Sequence, residues 1–330
     1  MPVKFGGKNY TAASLIFGFA ALIFYTIPFI YAVRITPGVE QIFADKNTNE
    51  DKTPPFEWSK LVTGLFAKQA SYQTLTYDTA KKLTLDFYPS FIKGNQPCIL
   101  VVHGGSWSSG DSQQLPELNS ELAKRGYNVA SINYRLAPQY KYPAPVEDVK
   151  SVFAFLREHG KQLSIDTNQF VLLGRSAGGQ IALSAAYTLH DDAALKGVIC
   201  FYAPVDMVWG YANPTNPLVL DSRQVMSDYL GGTYKQVPQQ YIASSGNYTA
   251  RANVPPALLI YGQNDPLVSY LHAVRLSKKL DSLSVLHYNV YLPWATHGFD
   301  FTLNGPGGQI STWCVLQFVD KITIRQNNLQ

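Results

Sequence analysis

The chain has 330 residues, 46% of them hydrophobic and 15% charged, and a formal net charge of +4 at pH 7. This length can bury a large core, and α/β sheets often exceed the usual domain size without splitting. The basic residues do not cluster, which excludes nucleic acid as an expected partner. The sequence holds no zinc-protease, C-x-x-C or phosphate-loop motif, so neither a cofactor nor a metal is expected. Its three cysteines, Cys98, Cys200 and Cys314, lie far apart in apolar runs and are predicted to be core residues.

The amino-terminal stretch is the first predicted element. Residues 12–33 are almost wholly apolar, and no charged residue falls between Lys8 and Arg34. A helix of about 20 apolar residues spans a bilayer, so residues 1–34 are predicted to form a single-pass membrane anchor. The flanking basic residues favour a cytoplasmic amino terminus, with the rest of the chain on the non-cytoplasmic side. The alternatives are a cleaved signal peptide, which would leave a secreted protein, and a buried helix of a soluble domain.

A polar connector, residues 35–70, is predicted to follow the anchor. Its amphipathic part, residues 58–66, suits either the membrane surface or the mouth of a functional site, and the sequence does not choose between them.

The remaining residues, 71–330, are predicted to form one domain. Seven apolar, strand-like runs alternate there with helix-like runs, at residues 83–88, 98–103, 128–134, 169–173, 197–202, 257–261 and 287–292. This alternation is typical of an α/β fold with a mostly parallel central sheet and helices on both faces.

A G-x-S-x-G motif, residues 174–178, centres on Ser176 between the strand-like run 169–173 and a helix-like run, 180–189. At such a turn a serine is held on a strained backbone outside the sheet, and the glycines allow close backbone approach. Ser176 is therefore a candidate nucleophile. The alternative is a glycine-rich turn in which Ser176 only caps the helix.

A second glycine-rich loop, residues 103–107 with the sequence His-Gly-Gly-Ser-Trp, ends the strand-like run 98–103. Glycines free backbone N–H groups to point into a cavity, where they can stabilise a developing oxyanion. An ordinary turn at the end of a strand is the alternative.

A general base is expected late in the chain, and His297 follows the strand-like run 287–292 with a glycine after it. The other histidines fit the role less well. His287 opens a strand and is predicted to be structural, and three histidines on polar helical segments are predicted to be solvated: His159, His190 and His272.

An orienting carboxylate is expected between the serine and the histidine in the chain. Asp265 fits, just past the strand-like run 257–261. Because Pro266 follows it, Asp265 could also be the N-cap of a helix over residues 267–280, and the two roles are compatible. Asp206 and Asp300 are the rival acids.

The pattern breaks between residues 204 and 254 into a stretch rich in tyrosine, proline, glycine and asparagine. A structureless insertion of this length is uncommon in a compact domain unless it covers a site. Residues of about 205–254 are therefore predicted to form a small cap of short helices. A disordered surface loop is the alternative.

Several of these motifs also carry a family resemblance. The segments are 103–107 (HGGSW), 133–138 (NYRLAP), 142–148 (YPAPVED), 174–179 (GRSAGG), 265–268 (DPLV) and 297–299 (HGF). Over about residues 70–325 they resemble the hormone-sensitive-lipase-like carboxylesterases of the α/β-hydrolase superfamily. The H-G-G-x-W form is similar to the branch with bacterial esterases, kynurenine formamidases and prenylcysteine methylesterases.

The resemblance implies an α/β-hydrolase fold and a set of site residues. These are Ser176, Asp265 and His297 as the catalytic triad and Gly105, Ser106 and Ala177 as oxyanion donors. Apart from the resemblance, His103 and Gly104 are predicted to support the site, and Asp148 is predicted to anchor the His103 loop. The sequence departs from the family at two positions. Ser106 stands where many relatives have a third glycine, and Arg175 stands where they have an acidic residue or histidine. Arg175 is expected to pair with a nearby carboxylate. The alternative for both Arg175 and Asp148 is an ordinary surface or capping charge.

These expectations together describe a serine hydrolase that acts on small-molecule carboxylic esters, with small or medium acyl groups. An amide, arylformamide or peptide hydrolase could use the same triad. A ligand-binding protein built on an inactive hydrolase is the alternative from another class, and it predicts a missing triad member.

Overall fold

A twisted sheet of eight strands organises the computed structural model, which describes residues 8–44, 53–63 and 69–324, with side chains of the first helix described from residue 26. The strands are β1 (Gln73–Asp78), β2 (Leu83–Tyr88), β3 (Gln96–Val102), β4 (Asn128–Ile132), β5 (Ile165–Arg175), β6 (Leu195–Phe201), β7 (Ala257–Gly262) and β8 (His287–Leu292). The helices are α1 (Lys8–Phe43), α2 (Lys60–Thr63), α3 (Pro116–Lys124), α4 (Ala144–Glu158), α5 (Ala177–Thr188), α6 (Met207–Ala212), α7 (Ser222–Leu230), α8 (Pro238–Ala243), α9 (Gly246–Thr249), α10 (Leu271–Ser282) and α11 (Pro306–Ile322).

The strand order is β1-β2-β4-β3-β5-β6-β7-β8. β2 pairs antiparallel with β1 and β4, and the pairs from β4 through β3 to β8 are parallel. Every residue of β3, β4 and β7 is buried, which requires helices on both faces of the central strands. The predicted mostly parallel α/β sheet is confirmed, and the three cysteines are buried as free thiols.

The seven predicted strands are present, and most of them begin or end a few residues away from the predicted bounds. β1 was not predicted. It is an edge strand that leaves much of its surface exposed, so its sequence lacks the apolar run of the inner strands.

The stretch between β6 and β7 holds the four short helices α6, α7, α8 and α9 rather than a structureless loop. Two of its tyrosines pack inward. Tyr229 stacks on Trp107, with ring centroids 4.6 Å apart, and Tyr241 is fully buried. This packing ties the stretch to the glycine-rich loop at the end of β3.

The first helix packs its carboxyl-terminal end against the domain. Phe43 stacks on Tyr288 with ring centroids 5.0 Å apart and meets Trp313 edge-on. No helix within the described residues is both long and apolar enough to cross a membrane. The side chains of residues 12–25, in the predicted anchor, lie outside the described set.

The connector is described in part. The predicted amphipathic segment 58–66 contains the short helix α2, and residues 64–68 lie outside the described residues. Trp58 stacks on Phe29 of α1, with centroids 5.6 Å apart, and Glu57 is hydrogen-bonded through its backbone to Gln309 of α11. Residues 57 and 58 of the connector therefore lie against α11 and α1.

Candidate active site

Ser176 lies at the turn between β5 and α5, with φ 52° and ψ −122°. A positive φ is strained for a residue with a side chain and persists only where the surrounding structure enforces it. The flanking glycines do so, because a Cβ on Gly174 would lie 2.2 Å from the Gly178 carbonyl oxygen, and one on Gly178 would lie 2.2 Å from the His103 carbonyl oxygen. The Ser176 side chain makes no capping hydrogen bond. The helix-cap alternative is therefore wrong, and the hydroxyl is left for another partner.

That partner is His297. Its Nε2 lies 3.0 Å from Ser176 Oγ, and its Nδ1 lies 2.8 Å from Asp265 Oδ2. The Asp265 side chain is fully buried. Ser176, His297 and Asp265 thus form one continuous hydrogen-bond chain.

Asp265 also has the second role that the sequence suggested. Its Oδ1 accepts the backbone N–H groups of Leu267 and Val268, at 2.8 and 2.9 Å. The predicted helix start at residue 267 is wrong, because α10 begins at Leu271 and the residues before it form a turn. The two N–H groups fix the carboxylate, so that only Oδ2 faces His297.

The glycine-rich loop lies beside Ser176 with an unusual backbone. Gly105, Ser106 and Trp107 all have positive φ angles, of 120°, 51° and 61°. A Cβ on Gly105 would lie 2.1 Å from the Ser109 carbonyl oxygen, so this turn requires glycine. Among the residues that the structure describes, the N–H groups of Gly105, Ser106 and Ala177 have no protein acceptor. Ser106 and Ala177 line the same cavity as Ser176 and His297.

His103 and Gly104 hold this loop in place. The His103 Nδ1–H donates to the Gly104 carbonyl oxygen at 2.7 Å, and the ring stacks on Tyr134 with centroids 4.2 Å apart. Burial lowers the pKa of His103, which keeps the ring neutral. The Gly104 N–H donates to Gln114 Oε1 at 2.7 Å. Neither Tyr134 nor Gln114 is among the predicted supporting residues, although Tyr134 lies within the motif at residues 133–138.

The expected contact between Asp148 and the His103 loop is not observed. The buried Asp148 carboxylate accepts the backbone N–H and the side-chain Nε–H of Arg135, both at 2.9 Å. Its link to the loop is indirect, because Ala137, two residues further on, donates its N–H to the Trp107 carbonyl oxygen at 2.9 Å. An acid at the start of α4 is nearer to the segment after β4 than to the segment after β3.

Arg175 pairs with a carboxylate as expected, and the carboxylate is the rival acid Asp300. Arg175 Nε donates to Asp300 Oδ2 at 2.6 Å, and the Tyr202 hydroxyl donates to Asp300 Oδ1 at 2.6 Å. Burial alone would lower the pKa of Arg175, but the neighbouring Asp300 carboxylate offsets this and raises it. The pair joins the residue before Ser176 to the loop that carries His297.

Asp206, the other rival, caps α6 and pairs with Arg275. Its Oδ1 accepts the Trp209 N–H at 3.0 Å, and its Oδ2 accepts the Arg275 Nε–H at 2.9 Å. Both rival carboxylates are thus bound to partners other than His297.

Replacing Asp300 with asparagine should destabilise the fold strongly. Arg175 is only 1% exposed, so the change leaves a buried guanidinium without its counter-charge. Breaking a buried pair in this way costs about 3–5 kcal/mol. Urea unfolding measures the loss, with Asp281→Asn on the exposed surface as the control. Equal, small losses in the two variants would contradict the buried-pair argument.

A cavity of about 280 Å³ opens beside Ser176 and His297. Its other walls come from α6, α7 and the segment between them, and from the turn after β7. His272, at the start of α10, also lines it and is only 4% exposed. The prediction that His272 is solvated is therefore wrong. The spacing from His272 to Leu276 and Leu280 places it on the buried face of the helix, which is a signal that the sequence carried.

Acidification should weaken the fold through His272. Burial, with a smaller contribution from Arg275, lowers the pKa of His272 to about 3, whereas a histidine in an unfolded chain titrates near 6.5. Between these pH values the unfolded state binds a proton that the folded state does not. The stabilisation is therefore present above about pH 6.5 and is lost as the pH falls towards about 3.

The variant His272→Gln tests this, because its side chain can still accept the hydrogen bond that the ring accepts. Its free energy of unfolding should depend on pH less steeply than that of the wild type, by up to one proton or about 1.4 kcal/mol per pH unit. Urea titrations across the acidic range measure the slopes, with His159→Gln as the control. Parallel slopes in wild type and His272→Gln would refute the assignment.

The sheet, the strained serine turn and the glycine-rich loop define the class as α/β-hydrolase. A family model described as BD-FAE matches residues 85–280, more than half of the chain, and the chain belongs to that family. Two curated relatives come from Mycobacterium tuberculosis. The chain is 28% identical over 222 residues to the probable carboxylic ester hydrolase LipM, covering 63% of this chain and 51% of the relative. It is 28% identical over 218 residues to the esterase LipC, covering 62% and 53%.

The chain thus spans about half the length of these curated relatives. Among solved structures, a bacterial heroin esterase matches with a TM-score of 0.68 at 20% identity, covering 81% of this chain and 90% of that one. At this identity the likeness shows the fold alone. Together, the comparisons confirm the resemblance to hormone-sensitive-lipase-like carboxylesterases of the α/β-hydrolase superfamily.

Proposed function

We propose that this protein is a serine hydrolase that cleaves carboxylic esters through an acyl-enzyme intermediate. The observation that carries the proposal is the hydrogen-bond chain from Asp265 through His297 to Ser176, with distances of 2.8 and 3.0 Å. A nucleophile, a base and an orienting acid in this order are how a serine hydroxyl is activated. The relatives that are named as esterases support the same reaction.

In the proposed reaction His297 Nε2 takes the Ser176 proton as Oγ attacks the ester carbonyl. The resulting tetrahedral oxyanion collapses and expels the alcohol, which receives the proton from His297. Water then enters, and its oxygen attacks the acyl carbonyl while His297 removes its proton. The second tetrahedral intermediate collapses with cleavage of the bond to Ser176 Oγ, which takes the proton back from His297, and the carboxylic acid leaves. Asp265 keeps the Nδ1–H tautomer and stabilises the imidazolium.

The proposed oxyanion donors are the N–H groups of Gly105, Ser106 and Ala177. The lack of protein acceptors for these groups within the described chain supports this role. So does the position of Ser106 and Ala177, which line the same cavity as Ser176. Donors held rigidly before the reaction stabilise the transition state without further reorganisation. The turn is closely packed, because a Cβ on Gly105 would lie 2.1 Å from the Ser109 carbonyl oxygen.

The proposed substrates are esters with small or medium acyl groups, beneath a cap of about residues 205–254. The cavity of about 280 Å³ supports this size, because it is slightly smaller than the pockets that hold drug-sized ligands, which span about 300–1,000 Å³. Trp209 and Met226, from the segment between β6 and β7, contribute to its walls.

A chain-length series of p-nitrophenyl esters, run beside an arylformamide and a peptide, tests the proposal. We expect turnover to be highest for the short esters and to fall as the acyl chain outgrows the cavity. Faster cleavage of the arylformamide or the peptide would assign the same triad to amides. Turnover of none of the three would favour a binding protein.

We further propose that residues 1–34 anchor the protein in a membrane, with the catalytic domain on the non-cytoplasmic side. The uncharged apolar sequence of residues 12–33 supports this, since spans run from about 17 to 25 residues. Phe29 stacks on Trp58, and Tyr31 stacks on Trp294 with centroids 6.2 Å apart. These contacts support retention of the segment rather than its removal as a signal peptide.

The anchor proposal is tested on the full chain. The wild type should stay in the membrane pellet after a carbonate wash, and a variant with Leu22→Lys and Ile23→Lys should be released. Amino-terminal sequencing should find no cleavage. A processed, soluble protein that begins between residues 32 and 40 would show that the segment is a secretion signal.

A further inference from the structure

One wall of the cavity carries an imidazole that the proposed reaction does not use. His272 is buried and lines the cavity together with Ser176 and His297. Its Nδ1 lies 3.2 Å from the backbone nitrogen of Asp206, so Nδ1 accepts that N–H and the ring proton sits on Nε2. Within the described chain, no acceptor is found for the Nε2–H.

The position of this ring is fixed. Trp209 meets it edge-on, with centroids 4.9 Å apart and an interplanar angle of 90°. A Cβ on Gly210 would lie 3.1 Å from Cε1 and 3.4 Å from Nε2, so the Nε2 edge lies beside Gly210, which also lines the cavity. Asp206 is itself held by Arg275 and by the Trp209 N–H. The donor is therefore preorganised at the cavity wall.

The charge of the cavity restricts what this donor can meet. Among the described residues that line the cavity there is no lysine, arginine or glutamate. The lining includes one aspartate, Asp265, which is hydrogen-bonded to His297. Burial lowers the pKa of His272 to about 3, so the ring stays neutral at the pH of an esterase assay. None of these lining residues carries a free charge that could compensate a charged group on a ligand, so an uncharged ligand is favoured.

Two other polar groups in the lining are engaged within the protein. The Thr215 hydroxyl donates to the Leu267 carbonyl oxygen at 2.8 Å, and the Asn213 side-chain amide donates to the Trp209 carbonyl oxygen at 3.0 Å. The His272 Nε2–H differs from them in that it remains available to a ligand.

We infer that His272 is a substrate-binding residue whose Nε2–H donates to an oxygen of an uncharged, compact ester. The preferred substrates then carry an ether, hydroxyl or second carbonyl oxygen besides the ester that is cleaved. The inference rests on the proposed esterase function and narrows its substrate class. An all-hydrocarbon ester that fills the cavity leaves the donor unpaired, and a buried unpaired donor is costly.

The experiment uses the full-length protein and matched pairs of p-nitrophenyl and alkyl esters. In each pair an ether oxygen replaces one methylene, and its position is moved along the acyl chain or the alcohol. For at least one position, wild type should favour the oxygen-containing ester by about tenfold to a hundredfold in kcat/KM. The variant His272→Phe should lose this preference while still cleaving the hydrocarbon esters. Thr215→Val, whose hydroxyl is engaged within the protein, should keep it.

No preference in wild type at any position, or a preference that survives in His272→Phe, would overturn the inference. The second measurement separates it from the proposed function. The same pairs are titrated against Ser176→Ala, and binding is followed by tryptophan fluorescence, because Trp209 touches His272. Tighter binding of the oxygen-containing members supports the role of His272, even where the wild type turns over no ester. Absence of ester turnover by the wild type would refute only the esterase proposal. Equal binding of both members counts against His272.

Discussion

Ser176→Ala should reduce ester turnover by about 10⁴ to 10⁶-fold, the range known for triad serines, while leaving the fold intact. The hydroxyl is hydrogen-bonded to His297 and does not cap α5, so its removal leaves the helix start unchanged. Alanine also keeps the backbone N–H groups of the turn. The expected loss is therefore confined to the nucleophile, with residual catalysis from oxyanion donors and substrate binding.

Purified Ser176→Ala is assayed on a short p-nitrophenyl ester, and its melting temperature is compared with that of the wild type. Ser151→Ala, on the outer part of α4, is the matched serine control. Near-normal turnover by Ser176→Ala would show that another residue attacks the ester. A large drop in melting temperature would mean instead that the hydroxyl supports the fold.

The serine turn could be predicted from the sequence because its requirements are local. A side chain at Gly174 or Gly178 would collide with backbone 2.2 Å away, so the motif can occupy few structures other than this strand-to-helix turn. His297 and Asp265 were inferred from chain order and from the strands before them. In a parallel sheet the carboxyl ends of strands meet at one edge, so residues that follow β5, β7 and β8 come together there.

Other features depend on tertiary packing that local patterns do not carry. Asp300 was a rival for the acid role, and only the structure pairs it with Arg175, which is 125 residues away along the chain. Asp148 binds Arg135 rather than the His103 loop. The start of α10 was misplaced because Asp265 caps a turn before the helix begins.

The second large effect is expected from Asp265→Asn, which should reduce turnover by about 10⁴-fold, as the same substitution does in a serine protease triad. The two backbone N–H groups of Leu267 and Val268 point at Oδ1. An asparagine at this position must therefore place its carbonyl oxygen there. Its NH₂ group then occupies the Oδ2 position, 2.8 Å from His297 Nδ1.

A donor at that position forces His297 into the wrong tautomer, with the proton on Nε2 and no lone pair facing Ser176. The base is lost although the geometry is kept, so the fall should be in kcat more than in KM. Asp206→Asn and Asp300→Asn are the comparison variants, assayed well below their melting temperatures. Each should lose far less activity, because neither carboxylate hydrogen-bonds to His297. Equal losses at Asp265 and Asp300 in folded protein would remove the basis for assigning the acid to Asp265.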